Sequence, residues 1–368
     1  MNLPPPARGQ HDAIRELAGA CYLAMRMGDP GVLHALPDEE TLQRSGLAGT
    51  HANLCLDLGI GIPRERAIAG MQLAAANRQR WQALNGVLGD LHAEGIEPVL
   101  FKGGVLHARW PRMRELRAMS DYDLIVPQRE VQRLRDLLAR QGFETVPAGS
   151  RLTQRLCKGW MVWKGSGLSY QNLDIHARVT EPPVCSSLTD SILATRERAD
   201  GVRVPDLEDC ICMIALHVVR SGMHRPLREY IDLLWYVDGM DQAQWRILLL
   251  RARRHQLLPA LFLSLRQALH CLALERLAPE RAAMLGARIA ALGATFGSMR
   301  MRALDWLAPP DYPLHPITSR DHPLFRRSAI LGAGTGSAWR VCAAFAAYGA
   351  ARLGDSVMGG KPQARGGE

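Results

Sequence analysis

The spacing of hydrophobic residues changes between residues 95 and 180, and this change limits the folds open to the chain. Before this segment, apolar residues recur at helical spacing, and Gly95 is placed to end the last helix. Inside it they form short runs that end at glycine or proline, as β-strands do. Helical spacing returns after Pro205. The sequence therefore predicts an α/β (α+β) core with a small mixed sheet, flanked by helical regions.

The predicted core divides the chain into several parts. The first residues contain a run of prolines and the chain ends in GGKPQARGGE, and both segments have the composition of disordered sequence. The predicted parts are a disordered leader (1–9), a helical N-terminal region (10–94), the core (95–180), a helical C-terminal domain (181–307), a loop with a terminal helix (308–354) and a disordered tail (355–368).

A short apolar run at the start of the core leads into a glycine turn. The run PVLF predicts a buried strand, and Lys102, Gly103 and Gly104 follow it before a short helix. Glycines let backbone N–H groups approach a phosphate, and a helix N-terminus favours negative charge. Lys102 adds a positive charge. This segment is therefore a candidate phosphate-binding turn.

Two aspartates lie two residues apart on the next predicted strand. The side chains of Asp121 and Asp123 therefore point to the same face, where two carboxylates repel each other unless a cation offsets their charge. Mg²⁺ or Mn²⁺ suits this role, because hard cations prefer oxygen ligands. Asp174 lies on the second strand of a predicted hairpin. If the strands are neighbours, three carboxylates converge on one or two metal ions, as displacement at phosphorus requires.

The ordered combination of these segments resembles a known family. The likeness is carried by VLFKGGVL, RAMSDYDLIV, NLDIHA and LHVVRSGMHRPLREYIDLLWYV, within about residues 85–240. These segments are similar to the uncharacterised nucleotidyltransferase family, which belongs to the superfamily related to DNA polymerase beta. The resemblance implies a nucleotidyltransferase-like fold. It also implies an enzyme that moves a nucleoside monophosphate from an NTP, with ATP expected, to a hydroxyl group.

The same resemblance implies roles for individual residues. Asp121 and Asp123 would be metal ligands, Asp174 the third carboxylate, and Gly103 and Gly104 the phosphate turn. The wider superfamily usually has Gly-Ser at this turn, where the serine helps to hold phosphate, whereas this chain has Gly-Gly. The acceptor stays open among a small molecule, a peptide, a protein and RNA.

Other kinds of function fit the same residues. One is a toxin-like nucleotidyltransferase that modifies tRNA or protein, because abortive-infection enzymes have similar GG and DxD blocks. Another is a nucleotide-binding or scaffold module without catalysis. A metal-dependent hydrolase that uses the three aspartates and His176 is less favoured, since nothing else in the sequence supplies a dense set of histidine ligands.

Three further polar residues have a functional and a structural interpretation. His176 shares the strand face of Asp174, where it could neighbour a metal, orient the acceptor or make a structural hydrogen bond. His217 is interpreted as a half-buried histidine beside the apolar stripe of its helix. Asp232 follows Arg228 by four residues, and an exposed helical ion pair explains it at least as well as a functional role.

The chain is basic, with 45 Lys and Arg against 36 Asp and Glu and a formal charge of +9. This balance suits an anionic partner such as a nucleotide or RNA, and a solvated basic surface explains it equally well. Arg117, four residues before Asp121, is expected to pair with a bound phosphate or a carboxylate. The arginines expected either to bind phosphate or RNA or to form a solvated loop are Arg109, Arg112, Arg114 and Arg117.

The sequence predicts a cytoplasmic protein without a membrane span. Its eight cysteines include no CxxC pair, so free thiols in a reducing compartment are expected. The first residues lack the apolar run of a signal peptide. Residues 328–353 are interrupted by Arg340 and lack the run of about 20 apolar residues that a membrane span needs. The segment GAGTGS lacks the following Lys-Ser or Lys-Thr of a phosphate loop and is interpreted as a flexible turn.

Overall fold

A computed structural model describes most of the chain up to residue 296. Several predicted segments lie wholly or largely outside the described residues: most of the leader, the region 308–354 with its GAGTGS turn, and the tail. The described residues are 8–33, 37–145, 159–165, 170–179, 186–221, 223 and 225–296.

Helices form the larger part of the described structure. They are α1 (Arg8–Met27), α2 (Glu39–Ser45), α3 (Ala48–Asp57), α4 (Arg64–Ala93), α5 (Gly103–Arg109), α6 (Met113–Leu116), α7 (Val131–Arg140), α8 (Ser186–Ala194), α9 (Leu207–Arg220), α10 (Leu227–Val237), α11 (Gln242–Arg254), α12 (Leu258–Cys271), α13 (Leu274–Leu277) and α14 (Pro279–Ala294).

The strands form one mixed sheet in the order β3-β4-β5-β2-β1-β7-β6. Strand β2 is parallel to β5 and antiparallel to β1, and β1 is parallel to β7. The remaining pairs are antiparallel. The small mixed sheet expected from the sequence is therefore present, and β4 and β5 pair antiparallel as the predicted hairpin requires. The strands are β1 (Val99–Phe101), β2 (Tyr122–Ile125), β3 (Glu144–Thr145), β4 (Gly159–Lys164), β5 (Gln171–His176), β6 (Arg198–Ala199) and β7 (Val202–Arg203).

The longest helix, α4, has the periodicity that the sequence predicts. Its buried residues include Ala74, Trp81, Leu84 and Leu91, which recur at spacings of three or seven and so lie on one face. The helix ends just before Gly95, which has the left-handed φ of 71° that glycine tolerates. This confirms the helix end expected at this glycine and brings the chain into β1 at the sheet.

Two strands of the sheet come from a segment that the sequence placed among helices. Strands β6 and β7 have two residues each, too short to show an alternating pattern. They are joined by Asp200 and Gly201, both with positive φ. An Asp-Gly pair is a strong signal for a β-hairpin, so this pair was the sequence feature that could have predicted β6 and β7. The sheet therefore extends past residue 180, because β7 pairs with β1.

The N-terminal helices pack against two different groups of helices. Helix α4 packs along α3 and α6, whereas α1 packs against α10, α12 and α13. The hydroxyl of Tyr22 in α1 donates to Asp238 at a distance of 2.6 Å. The helices before the sheet are thus joined to those after it. Among the described residues, no helix has the length and apolar character needed to cross a membrane.

Candidate active site

The three central strands bring Asp123 and Asp174 together. Asp123 on β2 lies opposite Phe101 of β1 on one side and opposite Asp174 of β5 on the other. Residues paired in register share a face of the sheet, so both carboxylates project from the same surface. Asp123 is buried, whereas the Asp174 side chain retains 23% of its exposure. The strand-neighbour arrangement expected from the sequence is present.

The imidazole of His176 links the two carboxylates. Its Nε2 lies 3.0 Å from Asp123 Oδ1 and 2.9 Å from Asp174 Oδ2. The ring is fully buried and meets the Phe101 ring edge-on. Its Nδ1 has no hydrogen-bond partner among the described residues. A proton on Nε2 is donated to Asp123, and Asp174 lies within ion-pair distance of the same nitrogen, so the imidazole lies between the two carboxylates.

Lys102 provides a positive charge to the same pair. Its ammonium group forms an ion pair with Asp123. Burial alone would raise the pKa of Asp123, but Lys102 and the hydrogen bond from His176 hold it well below its usual range. Lys102 has a φ of 53°, which is uncommon for a side chain other than glycine and costs of order 1–3 kcal/mol. The strained backbone is consistent with a requirement for a lysine at this turn.

Asp121 lies beside this pair but outside the closest cluster. The ligand atoms of Asp123, Asp174 and His176 all lie within 4.8 Å of one another, and within the described residues this is the group that could hold a metal ion. Burial, followed by the neighbouring charge of Asp123, raises the pKa of Asp121. The ionised form of Asp121 is therefore less stabilised than that of a free carboxyl group, and a cation at the site would offset its charge.

The two glycines after Lys102 are required by packing. A Cβ on Gly103 would lie 2.6 Å from the guanidinium carbon of Arg117, and a Cβ on Gly104 would lie 2.6 Å from Leu100 Cδ1 and 3.2 Å from the Tyr122 ring. Both distances to the nearest atom are shorter than real Cβ contacts. Close packing thus explains a Gly-Gly turn independently of any phosphate, and the phosphate-binding role of these glycines stays a prediction.

We expect Gly103→Ala to lower the free energy of unfolding by about 1–3 kcal/mol, the usual cost of overpacking. The guanidinium that the new Cβ meets is at the end of a long side chain, but the Arg117 side chain is only 11% exposed and held by an ion pair, so it cannot move aside freely. Urea unfolding followed by circular dichroism measures the change. Gly86→Ala is the control, because Gly86 is exposed within α4 with open space around it. This variant should raise the free energy of unfolding by about 1 kcal/mol, since alanine favours a helix over glycine. Equal stability of both variants would contradict this packing.

Arg117 pairs with a carboxylate of the helical region. Its guanidinium donates to Asp232 in α10, with N–O distances of 2.6 and 2.9 Å. Asp232 is buried. The interpretation of Asp232 as part of an exposed pair with Arg228 was wrong. Helical spacing shows which neighbours on the same helix can pair, but it does not show that a residue from a distant segment packs over Asp232. The pair joins the segment before β2 to α10.

The other arginines of this loop are also paired with carboxylates. Arg109 contacts Glu197 at 2.5 Å, Arg112 contacts Asp57 at 3.2 Å, and Arg114 pairs with Asp200. Their acidic partners come from α3 and from the segment around β6 and β7. The four arginines therefore join separate parts of the chain, which gives each of them a structural role besides the phosphate or RNA binding considered above.

Arg228 is a residue near the site that no sequence motif indicated as functional. It lies one helical turn before Asp232 in α10, is partly buried, and has no ion pair within the described structure. Burial and Arg117 lower the pKa of Arg228, while nearby carboxylates that include Asp121 oppose this change. An arginine without a carboxylate partner close to Asp121 is suited to an anion. His217 is half-buried as expected, with its Nε2 3.9 Å from Glu229.

An α+β sheet that presents carboxylates from neighbouring central strands, next to a lysine-glycine turn, is consistent with a nucleotidyltransferase type of core. The chain belongs to the uncharacterised nucleotidyltransferase family, whose pattern matches residues 62–273. This confirms the family suggested by the sequence motifs, and the chain is a nucleotidyltransferase on that basis. No curated protein and no solved structure matches the chain.

Proposed function

We propose that the protein transfers a nucleoside monophosphate from an NTP to a hydroxyl group of an acceptor, in a reaction that needs Mg²⁺ or Mn²⁺. One observation carries this proposal: Asp123 and Asp174 lie opposite each other on parallel strands, and His176 contacts both carboxylates. ATP is the expected nucleotide. The acceptor is a small molecule, a peptide, a protein or RNA.

The donor atoms suit a divalent cation. Two carboxylates and an imidazole nitrogen lie within 4.8 Å of one another, and Asp121 adds a third carboxylate at the edge of the group. Asp123 and Asp174 would hold the ion, with Asp121 as a further ligand. Such an ion, when bound, would coordinate the triphosphate and would stabilise the negative charge that develops at phosphorus.

The side chains around these carboxylates have distinct tasks in the proposed reaction. His176 keeps Asp123 and Asp174 at a fixed separation, so that little reorganisation is needed when substrate binds. The ammonium of Lys102 is on a flexible stem, which lets it exchange Asp123 for a phosphate oxygen. Asp174 is the more accessible of the paired aspartates and therefore faces the substrate.

The proposal is tested with purified protein, each of the four labelled NTPs, and Mg²⁺ or Mn²⁺. We expect one or more NTPs to bind in a metal-dependent manner, and EDTA to abolish binding. Candidate acceptors are then added and label transfer is followed. Binding without transfer to any acceptor would favour the inactive nucleotide-binding module, and growth arrest on expression would favour the toxin-like enzyme. NTP binding that EDTA does not affect would contradict the proposed site.

Arg228 is proposed to hold the triphosphate. We expect Arg228→Gln to raise the Kd for ATP by roughly 10-fold to 100-fold, because a hydrogen bond to a charged group contributes about 1.5–3 kcal/mol. Binding of adenosine, which has no phosphate, should be unchanged. Isothermal titration with both ligands in the presence of Mg²⁺ separates these effects.

The matched control for this substitution is Arg246→Gln. Arg246 is an exposed arginine of α11, and the substitution makes the same change in net charge. It should leave the affinity for ATP within about twofold of the wild type, as expected for a distant charge that salt screens. An equal loss of ATP affinity in the two variants, or an equal loss of ATP and adenosine affinity in Arg228→Gln, would refute a direct phosphate contact.

A further inference from the structure

A second cluster of reactive side chains connects α8, α9 and α11. The hydroxyl of Ser187 lies 3.0 Å from Nδ1 of His255, and Nε2 of the same imidazole lies 3.3 Å from Asp209 Oδ1. Ser187 is exposed, whereas His255 and Asp209 are 2% and 1% exposed. The three groups thus run from the surface to a buried carboxylate.

The surroundings of Asp209 determine the direction of these hydrogen bonds. Burial alone would raise the pKa of Asp209, but His255 and Ser191 lower it, together with the charge of Arg251. Ser191 donates to Asp209 Oδ2 at 2.5 Å. An ionised carboxylate only accepts hydrogen bonds, so Nε2 of His255 donates to Asp209, and Nδ1 of the neutral imidazole is the atom that accepts from Ser187. In this arrangement the serine hydroxyl donates to a base that a third group orients.

Ser187 opens onto a cleft of about 500 Å³. Three arginines and two aspartates line the cleft (Arg196, Arg251, Arg254, Asp190 and Asp206), and Arg251 pairs with Asp206 at 2.8 Å. Arg196 and Arg254 are exposed and have no ion pair within the described residues. Ser187 also lies in the first turn of α8, where backbone N–H groups lack helical partners and favour negative charge. The cleft therefore suits a ligand that carries an anionic group.

We propose that Ser187 is a second nucleophile of this protein, with His255 as its base and Asp209 as the positioning residue, acting on an ester that carries a carboxylate or phosphate group. A nucleophile, a base within hydrogen-bond reach and a third group that orients the base form the common pattern of activated serines. This proposal is independent of the nucleotidyl transfer proposed above.

The reaction balances with water as the co-substrate. Ser187 Oγ bonds to the carbonyl carbon of the ester, and its proton passes to His255 Nδ1. The carbon–oxygen bond to the alcohol then breaks, and the alcohol leaves with the proton from His255. A water molecule next attacks the acyl group, giving its proton to His255. Release of the carboxylic acid returns the proton to Ser187 Oγ, so that His255 is again neutral.

A fluorophosphonate probe tests the reactivity of the serine in the full-length protein. We expect phosphonylation at Ser187, located by peptide mass spectrometry, and its loss in Ser187→Ala. Ser221→Ala is the control, because Ser221 bonds to the Val218 carbonyl and should leave labelling unchanged. His255→Gln should slow labelling by about 100-fold or more, the usual contribution of a general base. Circular dichroism establishes that each variant is folded.

The second arm compares p-nitrophenyl acetate with a p-nitrophenyl ester that bears a free carboxylate. The wild type should prefer the anionic ester by roughly tenfold or more, and Arg254→Gln should remove this preference. Arg253→Gln, its exposed neighbour on α11 outside the cleft, is the matched control. Absence of labelling in the folded wild type, or labelling that persists in Ser187→Ala, would overturn the proposal.

Discussion

We expect Asp123→Asn to lower kcat for nucleotidyl transfer by at least about 1,000-fold. A bound metal ion contributes several kcal/mol to stabilisation of charge in the transition state, and each 1.36 kcal/mol corresponds to a factor of ten in rate. Asp123 is the buried carboxylate that both Lys102 and His176 contact, so its charge is fixed at the centre of the site. Asparagine keeps the shape and can still accept the hydrogen bond from His176.

The measurement is single-turnover transfer with saturating NTP and metal, so that weaker binding does not hide the effect on the chemical step. Asp136→Asn is the matched control, since Asp136 is exposed on α7 and accepts a side-chain hydrogen bond from Gln132 on the same helix. Its kcat should stay within twofold of the wild type, as for surface substitutions away from the site. Asp123→Asn enzyme with a tenth of the wild-type kcat would exclude Asp123 as an essential metal ligand.

Much of this site was predictable because it depends on short-range rules. The alternation of side chains along a strand predicted Asp121 and Asp123 on one face, but β2 begins at Tyr122, so Asp121 lies one residue before the strand. The parallel pairing of β2 and β5 then brings in Asp174 and His176, which share a face for the same reason. The sequence could not show that His176 contacts both aspartates while Asp121 lies outside the closest group. That difference depends on side-chain rotamers and strand twist, which spacing does not specify.

The contributions of α10 required the folded structure. Spacing suggested a local pair between Arg228 and Asp232, but the carboxylate pairs instead with Arg117, which lies 115 positions away in the sequence. Long-range partners of this kind leave no periodic trace in a single sequence. The packing of the two turn glycines could not be predicted from the sequence either. Their pattern suggested a phosphate-binding turn, whereas the structure places them against Arg117, Leu100 and Tyr122.

The pair between Arg117 and Asp232 is expected to make a large contribution to stability. Arg117→Ala should lower the free energy of unfolding by about 3–5 kcal/mol, because it leaves the Asp232 carboxylate buried without a cation. The effect should depend on pH. Burial raises the pKa of Asp232 even with Arg117 present, and removal of the arginine raises that pKa further. Protonated Asp232 is tolerated in the core, so the deficit should be smaller near pH 5 and grow towards pH 8.

Urea unfolding at pH 5 and pH 8 measures this deficit, and a double-mutant cycle with Asp232→Ala isolates the pair. Removal of both partners should cost less than the sum of the single substitutions, with a coupling of about 0.5–3 kcal/mol. A deficit that is the same at both pH values in Arg117→Ala would show that Asp232 is not its main partner. Because the pair fixes α10 beside the segment before β2, the single variants should also lose the ATP affinity that we ascribe to Arg228. Loss of stability with ATP affinity intact would instead mean that the helix and the sheet are held together by their apolar contacts, and that Arg228 reaches its ligand without this support.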